Sequence, residues 1–244
     1  MRNFIKYDLK TNKTYIFTIL LIQLIIMLSI ILVKSFVGLS FFLRNRLITD
    51  ILFISSIIFF VGVNLIFVIN FLYKDYFTQR ARLTFSLPIT TSTFLLAKLC
   101  GLVAFYLISG LIFTMSLYLL GYNIGGDFIY YMVFGLLVDV LLGQVLNLNM
   151  ARTRFTGRVS WIFMIINLTL IIIPAIIITQ FSALVLVNGT LIRYSGMGLA
   201  FIFPFAIGEG GLYKIITPLA YYVLVNVILF FVNKRYIDEK LDLS

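Results

Sequence analysis

The chain of 244 residues is 62% hydrophobic, only 11% charged, and carries a net charge of +10, far from the charged share of about a quarter found in soluble domains. It has no histidine and a single cysteine, Cys100, which excludes histidine-based catalysis, His or Cys metal clusters and an intrachain disulfide. What remains is an integral membrane protein made of helices, because runs such as LIQLIIMLSIILV are apolar on every face where barrel strands would alternate.

In chain order, MRNFIKYDLKTNK sets Phe4, Ile5 and Leu9 against Lys6, Lys10 and Lys13, the spacing of a short helix lying on the inner membrane surface. The apolar run that follows is 19 residues long and has no small-x-small cleavage site, so it is expected to stay attached as a first span over 15–33. Further spans are expected over 51–73, 99–120, 129–150, 159–187 and 217–233, six in all. Pro174, inside IIIPAIII, should bend the fifth by removing a backbone donor.

Between the second and third spans lies 74–93, KDYFTQRARLTFSLPITTST. Asp75 to Phe85 can form about three turns of amphipathic helix, with Arg80 and Arg82 charged and Tyr76, Phe77, Leu83 and Phe85 apolar. Pro88 ends that helix, and the threonines at 90, 91 and 93 offer an N-cap for the third span. Such a helix suits the groove of a partner protein, while a plain amphipathic linker is the simpler alternative.

Gly135, Asp139, Gly143 and Asn147 recur every four residues on one face of the fourth span. That is the pattern of tight helix packing, with Asp139 protonated or bonded to a neighbour such as Gln144, and a proton or substrate path is the alternative. Asn64 in the second span, with Asn70, could line a wet path or bond adjacent helices. Cys100 reads as a buried thiol packing as a small hydrophobe. The segment 188–216 is glycine-rich, with Pro204 inside LAFIFPFAI, and is expected to form a re-entrant or interfacial pair of short helices.

Orientation follows from the cations. Placing both termini in the cytosol puts 14 of the 19 basic residues inside, with Lys34, Arg44 and Arg46 after the first span as a local exception. The basic clusters are then topology and attraction to anionic lipid rather than nucleic-acid binding. Tyr118, Tyr122, Tyr130, Tyr131 and Trp161 fall at headgroup depth as anchors. No G-x-x-x-x-G-K-[ST] loop occurs, so the chain has no P-loop of its own for a nucleotide.

The short basic helix followed by SLPIT and then AKL, carried by Arg82, Leu83, Ser86, Leu87, Pro88, Ala97, Lys98 and Leu99 between spans two and three, resembles the permease subunit of ABC-2 type exporters. The resemblance covers most of the chain and implies an all-α membrane protein of six spans with cytosolic termini. It also implies a homodimer resting on two copies of a separate ATPase subunit that binds ATP and Mg. The partner would sit on a coupling helix that includes Asp75, Tyr76, Phe77, Arg80, Arg82, Leu83 and Phe85. The path of a hydrophobic or amphipathic substrate, such as a toxin or antimicrobial peptide, would pass between the two copies beside Asn64, Asn70, Asn167 and Pro174. The chain itself would hold no catalytic residue, cofactor or metal, and it would sit in a bacterial plasma membrane. The competing class is an ion-coupled secondary transporter that uses Asp139 among the intramembrane polar residues Asp139, Gln144 and Asn147.

The orientation is open to a direct test. In a Cys100→Ser background, cysteines placed at Asn3 and Leu243 should react with an impermeant maleimide only after the cells are opened, and one at Asn188 should react in intact cells. Labelling of Asn3→Cys in intact cells would invert the topology.

Overall fold

A computed structural model describes residues 2–37, 46–77, 90–121, 126–156, 161–182, 184–187, 190–193, 205–208, 211–215 and 217–241. Six helices form the body: α1 (Arg2–Val37), α2 (Arg46–Phe77), α3 (Thr91–Leu119), α4 (Gly126–Thr156), α5 (Trp161–Ser182) and α6 (Thr217–Leu241). Between α5 and α6 run four short strands, β1 (Leu184–Val187), β2 (Thr190–Arg193), β3 (Phe205–Gly208) and β4 (Gly211–Ile215). They make one antiparallel sheet in the order β2-β1-β4-β3.

Among the described residues, four helical stretches are long and apolar enough to cross a membrane: Lys10–Ser35, Ile51–Phe77, Thr91–Leu119 and Phe128–Thr156. At 26 to 29 residues each, they measure about 39–44 Å at the helical rise, more than the hydrocarbon core of about 30 Å. α5 is shorter, 22 residues and apolar along most of its length, and the last turns of α6 carry Lys234, Arg235, Asp238, Glu239 and Lys240. Large apolar side chains such as Leu111, Met115, Ile162 and Leu170 are exposed on the outside of the bundle, as contact with lipid requires. The chain is thus a membrane-embedded helical protein.

Three expectations are corrected here. The surface helix before the first span is not a separate element, because α1 runs unbroken from Arg2 to Val37; no glycine or proline occurs in those residues to end it. Likewise α5 stops at Ser182 and β1 starts at Leu184, so the fifth span does not continue to 187. The segment beyond it pairs as strands where short helices were expected. β1 is a run of four aliphatic residues, LVLV, and Asn-Gly stands between the paired Val187 and Thr190, the dipeptide that favours a two-residue hairpin.

α4 packs most extensively on α6, α1 on α3, and α2 on α4, while α5 packs on α4 and α6. The largest core cluster joins five of the helices through Ile19, Phe67, Phe71, Phe105, Ala151 and Ile237. Phe67 is its centre, stacked on Phe105 at 3.6 Å and on Phe71 at 5.1 Å between ring centroids. Lys74 lies over the Tyr15 ring at 4.3 Å, and Tyr76 bonds Asn147, which bonds Asn233. The amino-terminal half of α1, the ends of α2 and α4 and the last half of α6 therefore share one end of the bundle. At the other end Lys34 donates to the Leu120 carbonyl, just past α3. This accounts for a cation that breaks the charge bias: an ammonium is favoured at a helix C-terminus. Gly121 follows with φ +76°, the left-handed turn that ends the helix.

Small residues allow α3 to approach its neighbours. A Cβ at Gly101 would lie 2.7 Å from Phe71 Cζ, one at Gly143 would lie 2.5 Å from Leu102 Cδ1, and Gly135 is covered by the Tyr106 hydroxyl. The Gly135 and Gly143 face of α4 is a packing face. Gly62, in contrast, has nothing within 4 Å among the described residues. Gly143→Val should therefore cost about 1–3 kcal/mol by overpacking, seen as a lowered unfolding midpoint in nanodiscs. Gly62→Ala should be neutral or stabilising in the same assay.

Candidate functional site

Inside the bundle the polar side chains are gathered rather than scattered. On α4, Gln144 and Asn147 stand three residues apart, and on α6, Asn226 and Asn233 stand seven apart, so each pair lies along one helix face. The four amides interlock. Gln144 Nε2 donates to Asn226 Oδ1 at 2.9 Å, and Asn226 Nδ2 donates to the Leu137 and Tyr222 carbonyls at 3.0 and 2.9 Å. Asn147 Nδ2 donates to Asn233 Oδ1 at 2.9 Å, and Asn233 Nδ2 returns to the Gln144 and Leu229 carbonyls at 3.1 and 2.9 Å. Tyr76 Oη, fully buried at the end of α2, donates to Asn147 Oδ1 at 2.8 Å.

Next to Tyr76 is an ion pair removed from solvent. The Lys98 ammonium meets the Asp75 carboxylate, with side chains 2% and 1% exposed. Phe71 lies 4.3 Å and Phe94 5.8 Å from the ammonium, ring centroid to Nζ, which adds cation–π attraction. Local sequence positions both groups. Thr90 caps α3, its Oγ1 accepting from the Thr93 backbone N–H at 3.3 Å, and this sets the face on which Lys98 points inward. A second cluster ties three helices at a different depth. Gln23 of α1 donates to the Ser109 carbonyl at 3.0 Å, Ser109 Oγ donates back to Gln23 Oε1 at 2.8 Å, and Asn64 Nδ2 reaches Ser109 Oγ at 3.3 Å.

Of the expected partner-facing residues, Asp75, Tyr76 and Phe77 form the last turn of α2 rather than the start of a separate helix. Asp75 and Tyr76 are enclosed by the protein, and Phe77 is half-buried with its ring 5.0 Å from that of Tyr73. Burial removes Asp75 and Tyr76 from a surface that a partner could touch. Arg80, Arg82, Leu83 and Phe85 lie outside the described residues. Asn64 is buried in the three-helix cluster, not open to a path. Asn70 is half-buried and donates to the Ile66 carbonyl at 3.0 Å. Asn167 is half-buried with an Nδ2 that finds no hydrogen-bond partner among the described residues, and Pro174 lies inside α5.

Asp139 is 7% exposed and faces Tyr106 of α3, with no hydrogen bond or ion pair to it among the described residues. It does not meet Gln144, which Asn226 occupies. Cys100 is exposed, not buried: it shares a face with Leu96, Ala104 and Leu107, while Ala97, Lys98, Gly101 and Leu102 point inward. Sequence reading passed over Asn226 and Asn233, although their seven-residue spacing places both on one face of an apolar helix.

Arranged in this way, the amides have no reactive group among them. They offer directional contacts that tie α2, α4 and α6 together at fixed depth. Tyr76→Phe keeps the ring and removes only the donor to Asn147. It should lower stability in nanodiscs by about 0.5–1.5 kcal/mol, whereas Tyr73→Phe, on the exposed face, should change nothing measurable. Compared with known proteins, the chain matches no family model, no curated protein and no solved structure.

Proposed function

We propose that the chain is the transmembrane subunit of an ATP-driven exporter, a permease of the ABC-2 type that moves a hydrophobic or amphipathic substrate out of the cell. The observation that carries this reading is the segment 78–90. It is basic and amphipathic, ends in SLPIT, and joins two membrane-length helices whose adjoining ends are pinned by the Asp75–Lys98 pair. Helix ends joined in this way can take up a push from a soluble partner without yielding separately. Arg80, Arg82, Leu83 and Phe85 would face that partner, an ATP-hydrolysing subunit present in two copies that supplies the ATP and Mg sites.

In this reading α5 and α6 complete six spans, which supports cytosolic termini because the start of α1 and the end of α6 share one end of the bundle. Two copies would pair in a bacterial plasma membrane around a path beside Asn70, Asn167 and Pro174. Asn64, enclosed by its own chain, is withdrawn from that lining. Amphipathic peptides are the preferred substrate class. Within the exporter reading, a membrane subunit that exports phenol-soluble modulins is the narrower proposal.

A second reading draws on one observation, the enclosed Asp139 carboxyl group without a hydrogen bond among the described residues. It is an ion-coupled transporter with no ATPase partner.

Purification from native cells in mild detergent, followed by mass spectrometry, separates the two. A stoichiometric ATP-binding chain is expected, and a lone chain, under conditions that preserve other membrane complexes, would overturn the exporter. Arg82→Glu should abolish export at normal membrane abundance, and Asp139→Asn should leave export largely intact. Loss of transport in Asp139→Asn at normal abundance would favour ion coupling instead.

A further inference from the structure

Among the described residues two carboxyl groups are buried, Asp75 and Asp139. Lys98 answers the first with its ammonium. No ion pair or hydrogen bond reaches the second among those residues, although it lies well inside the membrane-length stretch Phe128–Thr156. An uncompensated charge at such a place is costly, and a carboxyl group avoids the cost by keeping its proton. The neutral acid is then a hydrogen-bond donor that needs an acceptor.

The packing around Asp139 supplies one. α2 and α4 run in the same direction, since Val68 lies against Gly143 and Tyr76 bonds Asn147. α3 runs the opposite way, since Leu102 covers Gly143 and Tyr106 covers Gly135. Four residues from the Gly143 layer toward the Lys34 end, the three helices therefore bring Asn64, Tyr106 and Asp139 to one level. All three are buried. The Tyr106 hydroxyl donates to the Met132 carbonyl at 3.2 Å. Asn64 Nδ2 donates to the Phe60 carbonyl at 2.8 Å and to Ser109 Oγ at 3.3 Å. Asn64 Oδ1 finds no hydrogen-bond partner among the described residues, on a side chain only 3% exposed. One layer thus holds an acceptor left over and a carboxyl group with nothing to bond.

We propose that Asp139 and Asn64 form a buried proton-binding site, in which the neutral Asp139 carboxyl group donates its hydrogen to Asn64 Oδ1 and so joins α4 to the Gln23–Asn64–Ser109 cluster. The ligand is a single proton. Tyr106 is the titratable side chain that faces the site from α3. On α2 the neighbouring Phe60 and Val68 carry no titratable group, and α5 and α6 meet the opposite side of α4 through Ile171 and Tyr222. With the proton in place, α1, α2, α3 and α4 share one polar network. Once it leaves, a carboxylate faces the Asn64 oxygen and the two repel. The site goes beyond the exporter reading and holds whatever drives transport.

Infrared spectra of the full chain in nanodiscs and neutral buffer test the site, with the Asp139→Asn spectrum subtracted to isolate one group. A protonated-carboxyl C=O band is expected, at the low frequency of a hydrogen-bonded acid and lower still in heavy water. Asn64→Leu removes the acceptor and should move the band to higher frequency. If Asn64→Leu does not insert, solid-state NMR of the Asn64 amide carbon takes its place, and this carbon should shift between the wild type and Asp139→Leu.

A carboxylate band in place of the acid band overturns the site and leaves the exporter reading standing. An acid band that Asn64→Leu does not move, or an Asn64 carbon that Asp139→Leu does not move, also overturns it. A band that moves as expected, in a chain that brings no ATPase on purification, upholds the site and removes the exporter reading.

Discussion

Amides buried within a membrane bundle have no water to turn to, so each must be answered by another group of the protein. In this chain the answer is a ladder that links Gln144 and Asn147 of α4 to Asn226 and Asn233 of α6 and extends to Tyr76 of α2. Apolar packing alone leaves helices in lipid free to rotate or slide, because neighbouring tails are as apolar as leucine side chains. The ladder removes that freedom. A slip of one residue along α4 or α6 would turn these amides away from their partners on the other helix, and the bonds between the two helices would be lost together.

The remaining polar contacts take their place around this axis. Gln23, Asn64 and Ser109 tie α1, α2 and α3, and close glycine contacts bring α3 against α2 and α4. One end is held by Asp75 with Lys98, and the other by Lys34 on the Leu120 carbonyl. The helices are therefore fixed in register at several depths, while their outer faces are left to lipid. A bundle of this kind favours motion of linked helices as units over bending of single ones.

Much of the fold was legible because composition alone dictates it. Long runs without charge or breaker can only be helices in lipid, and the threonines before Phe94 announced the cap that Thr90 provides. The four-residue rhythm of Gly135 and Gly143 likewise foretold a packing face, and Tyr106 and Leu102 fill it. Other features were hidden for definable reasons. Burial of Asp75 depends on Lys98, 23 positions along the chain, and neither residue signals the other by local pattern. Amphipathic periodicity continued past the end of α2, so three of its residues were assigned to the next element. The Asn-Gly step carries a hairpin signal that a reading by apolar composition passes over. Asn226 and Asn233 carried a readable spacing, but their importance comes from Gln144 and Asn147 on another helix.

The central claim is that these amides act on one another across helices and not only on their own backbone. A double-mutant cycle of Asn147→Leu and Asn233→Leu, with unfolding free energies measured in lipid nanodiscs, isolates that term. The account predicts a coupling of about 0.6–1.7 kcal/mol, the range for hydrogen bonds between membrane helices. Effects that add to within about 0.3 kcal/mol would show that the two residues are independent and would contradict the ladder as the constraint on which the bundle depends.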